Sequence, residues 1–317
     1  MALLVGDIGG TNTRLAIFHE GSILHKRIYR TMDIASLGEH ITAYLNESPA
    51  PAPDKACLAA AGIIDDNRLE AVNLPWVIDG TQLARSTGMK SVRFVNDFEA
   101  AAWGITLLKP DQLIQIGGQD PKPDGPRAIL GAGTGLGEAI MLQLKKGGAM
   151  VLPTEGGHTD LAARNETQID LLRYLMKKFG HASVERAISG PGLVNIYDFL
   201  SLKNGREAGN IGGPALITKY AIEKKDAICI ETIRLFSGML GSEAGDLALR
   251  CLATGGVHIA GGIAPNILPF LTDGAFRAAF ESKGRLSYVL KKIPVFVVIE
   301  PWLGLLGAGI IARQEDA

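Results

Sequence analysis

The sequence predicts an α/β protein of about two domains. Three observations carry this reading. Short apolar runs of strand length alternate with segments of helical periodicity along the chain. A strand, a Gly-rich turn and a second strand open the chain, and the same pattern returns near its middle. The length of 317 residues corresponds to two domains at ~150 residues each.

Ala2–Val5 and Arg14–Phe18 are apolar runs flanking a Gly/Asn/Asp turn, the signal of a β-hairpin. A third strand follows at Ser22–Tyr29 and a helix at Ser36–Leu45. Lys55–Ala61 and Val92–Val95 read as buried strands, and Phe98–Leu108 as a helix. Gly117–Arg127, rich in Gly, Pro and Asp, is a loop or boundary. The opening pattern then recurs: Ala128–Leu130, the turn Gly131–Gly137, and an alternating strand Glu138–Leu144. Thr167–Phe179 places Leu171, Leu172, Leu175, Met176 and Phe179 at helical spacing, with Gly180 as its stop. Ser183–Ile188 begins another helix, Leu193–Leu202 continues after Pro191-Gly192, and Asn204–Gly213 is a polar loop. Ala227–Leu252 is a long apolar helix whose Gly238, Gly241 and Gly245 permit close packing. Val257–Ala260 is a strand entering Gly261-Gly262, Val295–Ile299 the last strand, and Gly304–Arg313 a terminal helix.

Composition narrows the function classes. Hydrophobic residues make up 47%, charged residues 21%, and the formal net charge is −1, so the basic excess that marks a nucleic-acid or membrane surface is missing. The start shows no secretory signal, and no apolar run approaches the ~20 residues of a membrane span. These features predict a cytoplasmic protein. Cys57, Cys229 and Cys251 form no CxxC pair and lie in apolar stretches. They read as buried free thiols of a reducing compartment rather than as zinc ligands.

The 39 glycines cluster in a few loops. A phosphate site needs converging backbone N–H groups, and glycine allows the required dihedrals and close approach. The P-loop pattern GxxxxGK[ST] occurs nowhere. The dinucleotide pattern GxGxxG fails because residue 136 is Leu and the following segment alternates as a strand, where that motif should open a helix. What remains is a phosphate-binding β-hairpin used twice, at Gly6–Thr11 (Gly6, Asp7, Ile8, Gly9, Gly10, Thr11) and at Gly131–Gly137, where Gly133, Thr134 and Gly135 form the tip. A ligand-free tight turn is the ordinary alternative for one such loop. Two hairpins, plus Gly261-Gly262 after a strand, count against it. Asp7 either caps its turn or holds Mg²⁺ through water. Thr11 and Thr134 are either turn hydroxyls or phosphate donors.

Asn96-Asp97 follows a strand and precedes a helix. Both residue types are preferred helix N-caps, which explains them without function. Yet ligands of open α/β sheets bind beyond the carboxyl ends of strands, where this pair lies. Glu155-Gly156-Gly157-His158 reads either as a surface turn or as two polar ligands around a flexible pair; a metal site there lacks a nearby second His or Cys. Glu185, in the first turn of a predicted helix, offsets the helix dipole. Asn96, Asp97, Glu155, His158 and Glu185 together supply the carboxylate and amide acceptors that a polyol site requires.

These residues carry a family resemblance. Gly6–Arg14 (GDIGGTNTR), Asn96-Asp97-Phe98, Gly131–Gly137 (GAGTGLG), Glu155–His158 (EGGH), Ser189–Leu193 (SGPGL) and Ile259–Ile263 (IAGGI) together resemble bacterial glucokinases, from the first strand to the terminal Gly304–Gly309 segment. The resemblance implies an actin/hexokinase-like (ribonuclease H-like) fold: two α/β lobes with a duplicated core closing over a cleft. Residues 1–108 plus 300–317 would form the small lobe and 109–299 the large one. It further implies Asp97 as the catalytic base, and Asn96, Glu155, His158 and Glu185 as glucose ligands. The two hairpins would bind ATP phosphates with Mg²⁺ near Asp7, and Gly261-Gly262 would contribute to the adenosine site. Many relatives in the repressor/open-reading-frame/kinase (ROK) group carry a Cys-rich zinc motif after the glucose-binding His. Here Thr159-Asp160-Leu161 follows His158, which argues for the zinc-free group. Asn73-Leu74-Pro75-Trp76 resembles a sugar-side motif of hexokinases, although a buried Trp explains it too. A homodimer is the family's habit.

The activity so implied is ATP-dependent phosphorylation of the glucose 6-hydroxyl. Positioning and charge stabilisation supply most of such catalysis. Three rivals stand beside it. A sugar-sensing repressor would need a DNA-binding extension before the first hairpin. An actin-like ATPase would not need Glu155, His158 and Glu185. A kinase of mannose or an N-acetylated amino sugar differs only in its acceptor, and some relatives use polyphosphate as donor.

Overall fold

The computed structural model describes residues 2–70, 78–209 and 211–314; the Asn73–Trp76 segment lies outside them. The chain divides into two units. Met1–Pro110, Val151–Pro153 and Glu300–Ala317 form unit 1, and Asp111–Met150 with Thr154–Ile299 form unit 2.

In unit 1, β1 (Ala2–Ile8), β2 (Asn12–His19) and β3 (Ser22–Arg30) form an antiparallel meander. The helix α1 (Leu37–Glu47) follows, with the Ser36 hydroxyl accepting the Glu39 N–H at its N-terminus. Next comes β4 (Lys55–Ala60), parallel to β1. The short strands β5 (Ile63–Asp65), β6 (Arg68–Glu70) and β7 (Ile78–Asp79) make a separate small sheet. Asp79 caps α2 (Gly80–Thr87) by accepting the N–H groups of Thr81 and Gln82. Then β8 (Ser91–Asn96) pairs in parallel with β4, and α3 (Asp97–Gly104) leaves its end. The main sheet runs β3-β2-β1-β4-β8.

Unit 2 begins with β9 (Leu113–Gln115) and then repeats the strand order as β10 (Arg127–Ala132), β11 (Leu136–Gln143) and β12 (Ala149–Thr154), whose residues Val151–Pro153 are grouped with unit 1. The helices α4 (Glu166–Phe179), α5 (Gly190–Lys203), α6 (Pro214–Ile222) and α7 (Ala227–Cys251) precede β13 (Gly256–Ala260). Three short helices, α8 (Leu268–Leu271), α9 (Ala275–Glu281) and α10 (Ser287–Leu290), lead to β14 (Val295–Val298). The sheet runs β12-β11-β10-β13-β14-β9, with β13 parallel to both β10 and β14. Its first five strands repeat the order of unit 1. The duplication read from the two Gly-rich turns is therefore a duplication of topology. The last helix, α11 (Leu303–Gln314), belongs to unit 1.

Side-chain alternation explains why unit 1 needs α11. Leu4, Ile8, Leu15 and Ile17 point to one face and pack with Ile41, Tyr44 and Leu83 of α1 and α2. Leu3, Val5, Ala16 and Phe18 point to the other, where Ala100 of α3 and Leu305, Ala308 and Ile311 of α11 cover them. Each large aliphatic side chain so buried contributes about 1.5–3 kcal/mol. The α3–α11 contact is backbone against backbone: a Cβ at Gly307 would collide with the Ala100 carbonyl, and one at Gly104 with that of Leu303. In unit 2, Gly241 and Gly245 of α7 likewise lie against the Phe276 and Phe280 carbonyls of α9, whereas Gly238 faces open space.

Two predicted helices change. Phe98–Leu108 is α3 followed by a 3₁₀ turn, Ile105–Leu107, because Leu108 is extended just before Lys109-Pro110. Ser183–Ile188 is only a 3₁₀ turn, Val184–Arg186. Ser189 is extended, at φ −160°, and its hydroxyl accepts the Gly192 N–H to start α5 afresh. Cys57 and Cys229 are buried and Cys251 is half-buried; none of the three is in a disulfide among the described residues. Among the described residues no helix is long and apolar enough to cross a membrane.

Because a backbone carbonyl cannot rotate away, Gly307→Val should lower the unfolding free energy by about 1–3 kcal/mol or more. Urea unfolding with an unchanged m-value would show this. A loss below ~0.5 kcal/mol would contradict the packing described.

Candidate functional site

The first hairpin turns at residues 9–11. The Gly9 N–H donates to the Asn12 carbonyl at 3.0 Å. Thr31, arriving after β3, pins the turn from behind: its N–H donates to the Thr11 carbonyl (3.1 Å), its hydroxyl donates to the Gly9 carbonyl (2.6 Å), and that hydroxyl meets the Thr13 hydroxyl at 3.1 Å. Asp7 and Arg14 face each other across the hairpin, with Arg14 Nη1 3.0 Å from Asp7 Oδ2. Partial burial pushes the Asp7 carboxyl up, and Arg14 opposes that shift by charge and hydrogen bond. The Arg14 guanidinium lies over the Trp302 ring.

The glycines of this turn separate into two kinds. Gly6 is packed between Leu58 and Leu15, so it is a glycine for interior space. At Gly10 a Cβ would meet nothing within 4 Å, and Gly10 does not have the positive φ that would demand glycine. Neither packing nor torsion accounts for it. Room above the backbone does, as close approach of an anion requires.

Asn96 and Asp97 stand at the carboxyl end of β8. Ile8, Ala60 and Asn96 are in register across β1, β4 and β8, so the first hairpin and this pair share one edge of the unit 1 sheet. Two strand spacings put their backbones roughly 10 Å apart. The capping role falls to Asn96, whose Oδ1 accepts the N–H groups of Phe98 (2.9 Å) and Glu99 (3.1 Å). Asp97 is therefore the first helical residue, and its Oδ1 accepts the adjacent Phe98 N–H in the same turn of chain (2.9 Å). Capping thus accounts for Asn96.

In unit 2 the start of β11 organises the remaining residues. The Leu136 N–H donates to Glu185 Oε2 at 2.8 Å. The Leu136 carbonyl lies where a Cβ on Gly157 would sit, and the Glu138 carboxyl lies where a Cβ on Gly156 would sit. The Gly pair thus lets the Glu155–His158 turn settle on β11. A short antiparallel bridge, Asp160 to Ser183, with the Val184 N–H donating to the Thr159 carbonyl (2.9 Å), joins this turn to the one bearing Glu185. Glu155, His158 and Glu185 are consequently held by one framework, though far apart in sequence. Glu155 and His158 are largely exposed, with Oε2 and Nε2 3.9 Å apart. Glu185 sits in a 3₁₀ turn and takes a hairpin N–H, so the expected dipole role at a helix start does not apply.

The second hairpin is anchored differently from the first. The Gly133 N–H donates to the Gly135 carbonyl, and the Gly190 N–H at the start of α5 donates to the Gly133 carbonyl, each at 2.8 Å. Gly133 and Gly262 face open space without positive φ, as Gly10 does. Gly261, by contrast, has φ +84° and lies against the Ala132 carbonyl, so its glycine is structural. Because β10 and β13 are parallel neighbours, Gly261-Gly262 and the hairpin occupy the same sheet edge. Sequence reading missed Thr31, Leu136 and Glu138 as framework residues. Only the Ser189–Leu193 motif hinted at the α5 anchor.

Two units built on the same five-strand order, with a Gly-rich hairpin joining β1 to β2 in one and β10 to β11 in the other, define a sugar kinase of the actin/hexokinase-like fold. The chain belongs to the glucokinase family: the Glucokinase family model matches residues 4–315. A glucokinase of Cronobacter sakazakii is 40% identical over 313 residues, covering 98% of this chain and 97% of that one. One of Nostoc punctiforme is 37% identical over 340 residues, covering 98% and 99%. A crystal structure of glucokinase from an Antarctic psychrotroph superposes with a TM-score of 0.85 at 32% identity, covering 99% of each chain. A ROK family glucokinase from Streptomyces griseus, in complex with glucose and AMPPNP, shares the fold with a TM-score of 0.71 at 22% identity over 99% of this chain and all of that one. The chain is an ATP-dependent, glucose-phosphorylating kinase.

The two hairpin glycines should respond oppositely to a methyl group. Gly133→Ala should hold or raise stability, by at most about 1 kcal/mol. Gly135→Ala should displace the Glu185 carboxylate from the Leu136 N–H and cost about 1–2 kcal/mol. Thermal unfolding of both variants checks this, and equal melting temperatures would refute it.

Proposed function

We propose that the chain transfers the γ-phosphoryl group of ATP to the 6-hydroxyl of D-glucose, with Asp97 as general base. The observation that supports the base assignment is the place of Asp97: Asn96 supplies the helix cap, and Asp97 follows it as the first residue of α3, just beyond the carboxyl end of β8, where ligands of open α/β sheets bind. The α3 N-terminus favours the charged form of that carboxylate, the form able to accept a proton. In the transfer, the 6-hydroxyl oxygen bonds to the γ-phosphorus, its proton passes to Asp97, and the bond to the β-phosphate oxygen breaks to release ADP. The loose transition state of phosphoryl transfer tolerates a weak base. Asn96, Glu155, His158 and Glu185 serve as sugar ligands, a role drawn from the family's motifs at these positions.

The first hairpin (Gly9, Gly10, Thr11) and the second (Gly133, Thr134, Gly135) cradle the phosphates, with Gly9 and Gly133 shaping the turns through their own N–H bonds to the Asn12 and Gly135 carbonyls. Gly262 borders the adenosine. The open space above Gly10, Gly133 and Gly262 supports this reading. Among the described residues no cluster of three or more metal-ligating side chains exists. Asp7, already paired with Arg14, fits a Mg²⁺ ion that arrives with the nucleotide and keeps most of its waters. When bound, that ion would neutralise charge on the β- and γ-phosphates. A cytoplasmic homodimer is part of the same proposal.

Asp97→Asn should lower kcat by several orders of magnitude while glucose affinity, read by calorimetry, stays near that of the parent. Near-normal turnover would sink the base assignment. Gly133→Ala should raise the KM for ATP about tenfold, because its methyl group would occupy the open space above the hairpin that the phosphates need. Chelating Mg²⁺ should abolish turnover reversibly, and Asp7→Asn should raise the Mg²⁺ concentration needed to restore it. A coupled assay across glucose, mannose and N-acetylated amino sugars, with ATP and polyphosphate as donors, tests the choice of both substrates.

A further inference from the structure

Glu138 is a carboxyl in an unexpected place. It lies on β11 at 1% exposure, and among the described residues nothing hydrogen-bonds its Oε1. Its other oxygen rests against Gly156. Its backbone carbonyl accepts the Thr154 hydroxyl (3.3 Å), and that hydroxyl accepts the Gly156 N–H (3.3 Å). Glu138 therefore touches the Glu155–His158 turn through both side chain and backbone.

We infer that Glu138 is a positioning residue for this turn, and that loss of its proton weakens sugar binding. The inference rests on the proposed role of Glu155 and His158 as sugar ligands. The charges around Glu138 are lopsided. Glu243, Asp246 and Arg250 of α7 face it from one side, and the turn carrying Glu155 and His158 lies on the other. Arg250 Nη1 is 2.9 Å from Glu243 but 4.0 Å from Glu138. Lys283 is engaged by Asp246 at 2.7 Å. One guanidinium is thus shared by two buried carboxyls and stands nearer Glu243. Burial, reinforced by Glu243 and then Asp246, pushes Glu138 up to about 7 against the pull of Arg250.

Below that value a neutral acid forms the floor beneath Gly156. Above it, a carboxylate is buried beneath a turn that has already spent three of its N–H groups. The Gly156 N–H is used by Thr154, the His158 N–H by the Glu155 carbonyl, and the Thr159 N–H by the Gly156 carbonyl. Solvating the charge requires the turn to lift, which moves Glu155 and His158.

The test is glucose KM and kcat from about pH 6 to about pH 8.5, through the window the shift defines, for the parent, Glu138→Gln and Glu155→Ala. The expected result is a parental KM for glucose that rises several-fold, a Glu138→Gln KM that stays at the low-pH value, and kcat profiles that coincide. His158 is present in both proteins, so their difference reads Glu138. The sign for stability is also fixed. Between the unfolded value near 4.5 and about 7, the folded state alone holds the proton, so parental stability falls as pH rises. Glu138→Gln should therefore melt above the parent at high pH, with the gap closing toward pH ~5. Arg250→Gln should move the KM inflection to higher pH. Identical KM profiles for the parent and Glu138→Gln, or no movement with Arg250→Gln, overturn the inference. If Glu155→Ala raises KM while those results fail, this inference alone falls. If Glu155→Ala leaves KM unchanged, the sugar-binding role of the turn falls and takes this inference with it.

Discussion

The organisation of unit 1 depends on how closely α11 can approach α3 and the sheet. Gly307 against the Ala100 carbonyl, Gly104 against that of Leu303, and Gly309 against the Phe18 ring leave no room for side chains. A helix that comes this near fixes its neighbours as rigid bodies, because packed interiors do not deform smoothly. Its neighbours include two acids of the candidate site. Gly304 lies beside Asp7, and α3 begins with Asp97. Small residues at the end of the chain thus set the positions of an acid near its start and an acid a third of the way along.

Unit 2 solves the same problem with polar contacts. The first three residues of β11 hold Glu185 by an N–H, Gly157 by a carbonyl in close approach, and Gly156 by a carboxyl. A strand is a good frame for this, since its backbone groups and side chains present themselves at fixed intervals. The Gly-Gly pair in the Glu155–His158 turn is then not a sign of flexibility. It is what allows a turn to sit directly on a strand.

Much of the fold was legible from residue pattern, because local signals and tertiary structure agree. Turn glycines, alternation in β1, β2 and β11, Ser36 before α1 and Gly180 after α4 all act within a few residues. The failures were non-local. Ser183–Ile188 has helical composition, yet Val184 spends its N–H on Thr159 and Ser189 opens a new helix. Short strands such as β9 and β12 are defined by their partners rather than by their own residues. For the candidate site, the hairpins and the capping role of Asn96 were readable from residue type and position alone. Glu138 was invisible, because a Glu on an alternating strand reads as a solvent-facing residue.

The sequence order of unit 1 has a consequence for synthesis. Its sheet is finished by residue 96, but the helix that covers Leu3, Val5, Phe18 and Cys57 begins only at Leu303. All of unit 2 is translated in between. At roughly 5–20 residues per second, a bare apolar face stays on the nascent chain for on the order of ten seconds or more. The first part of the chain to emerge is therefore the last to be completed, and it depends on unit 2 folding promptly without capturing that face.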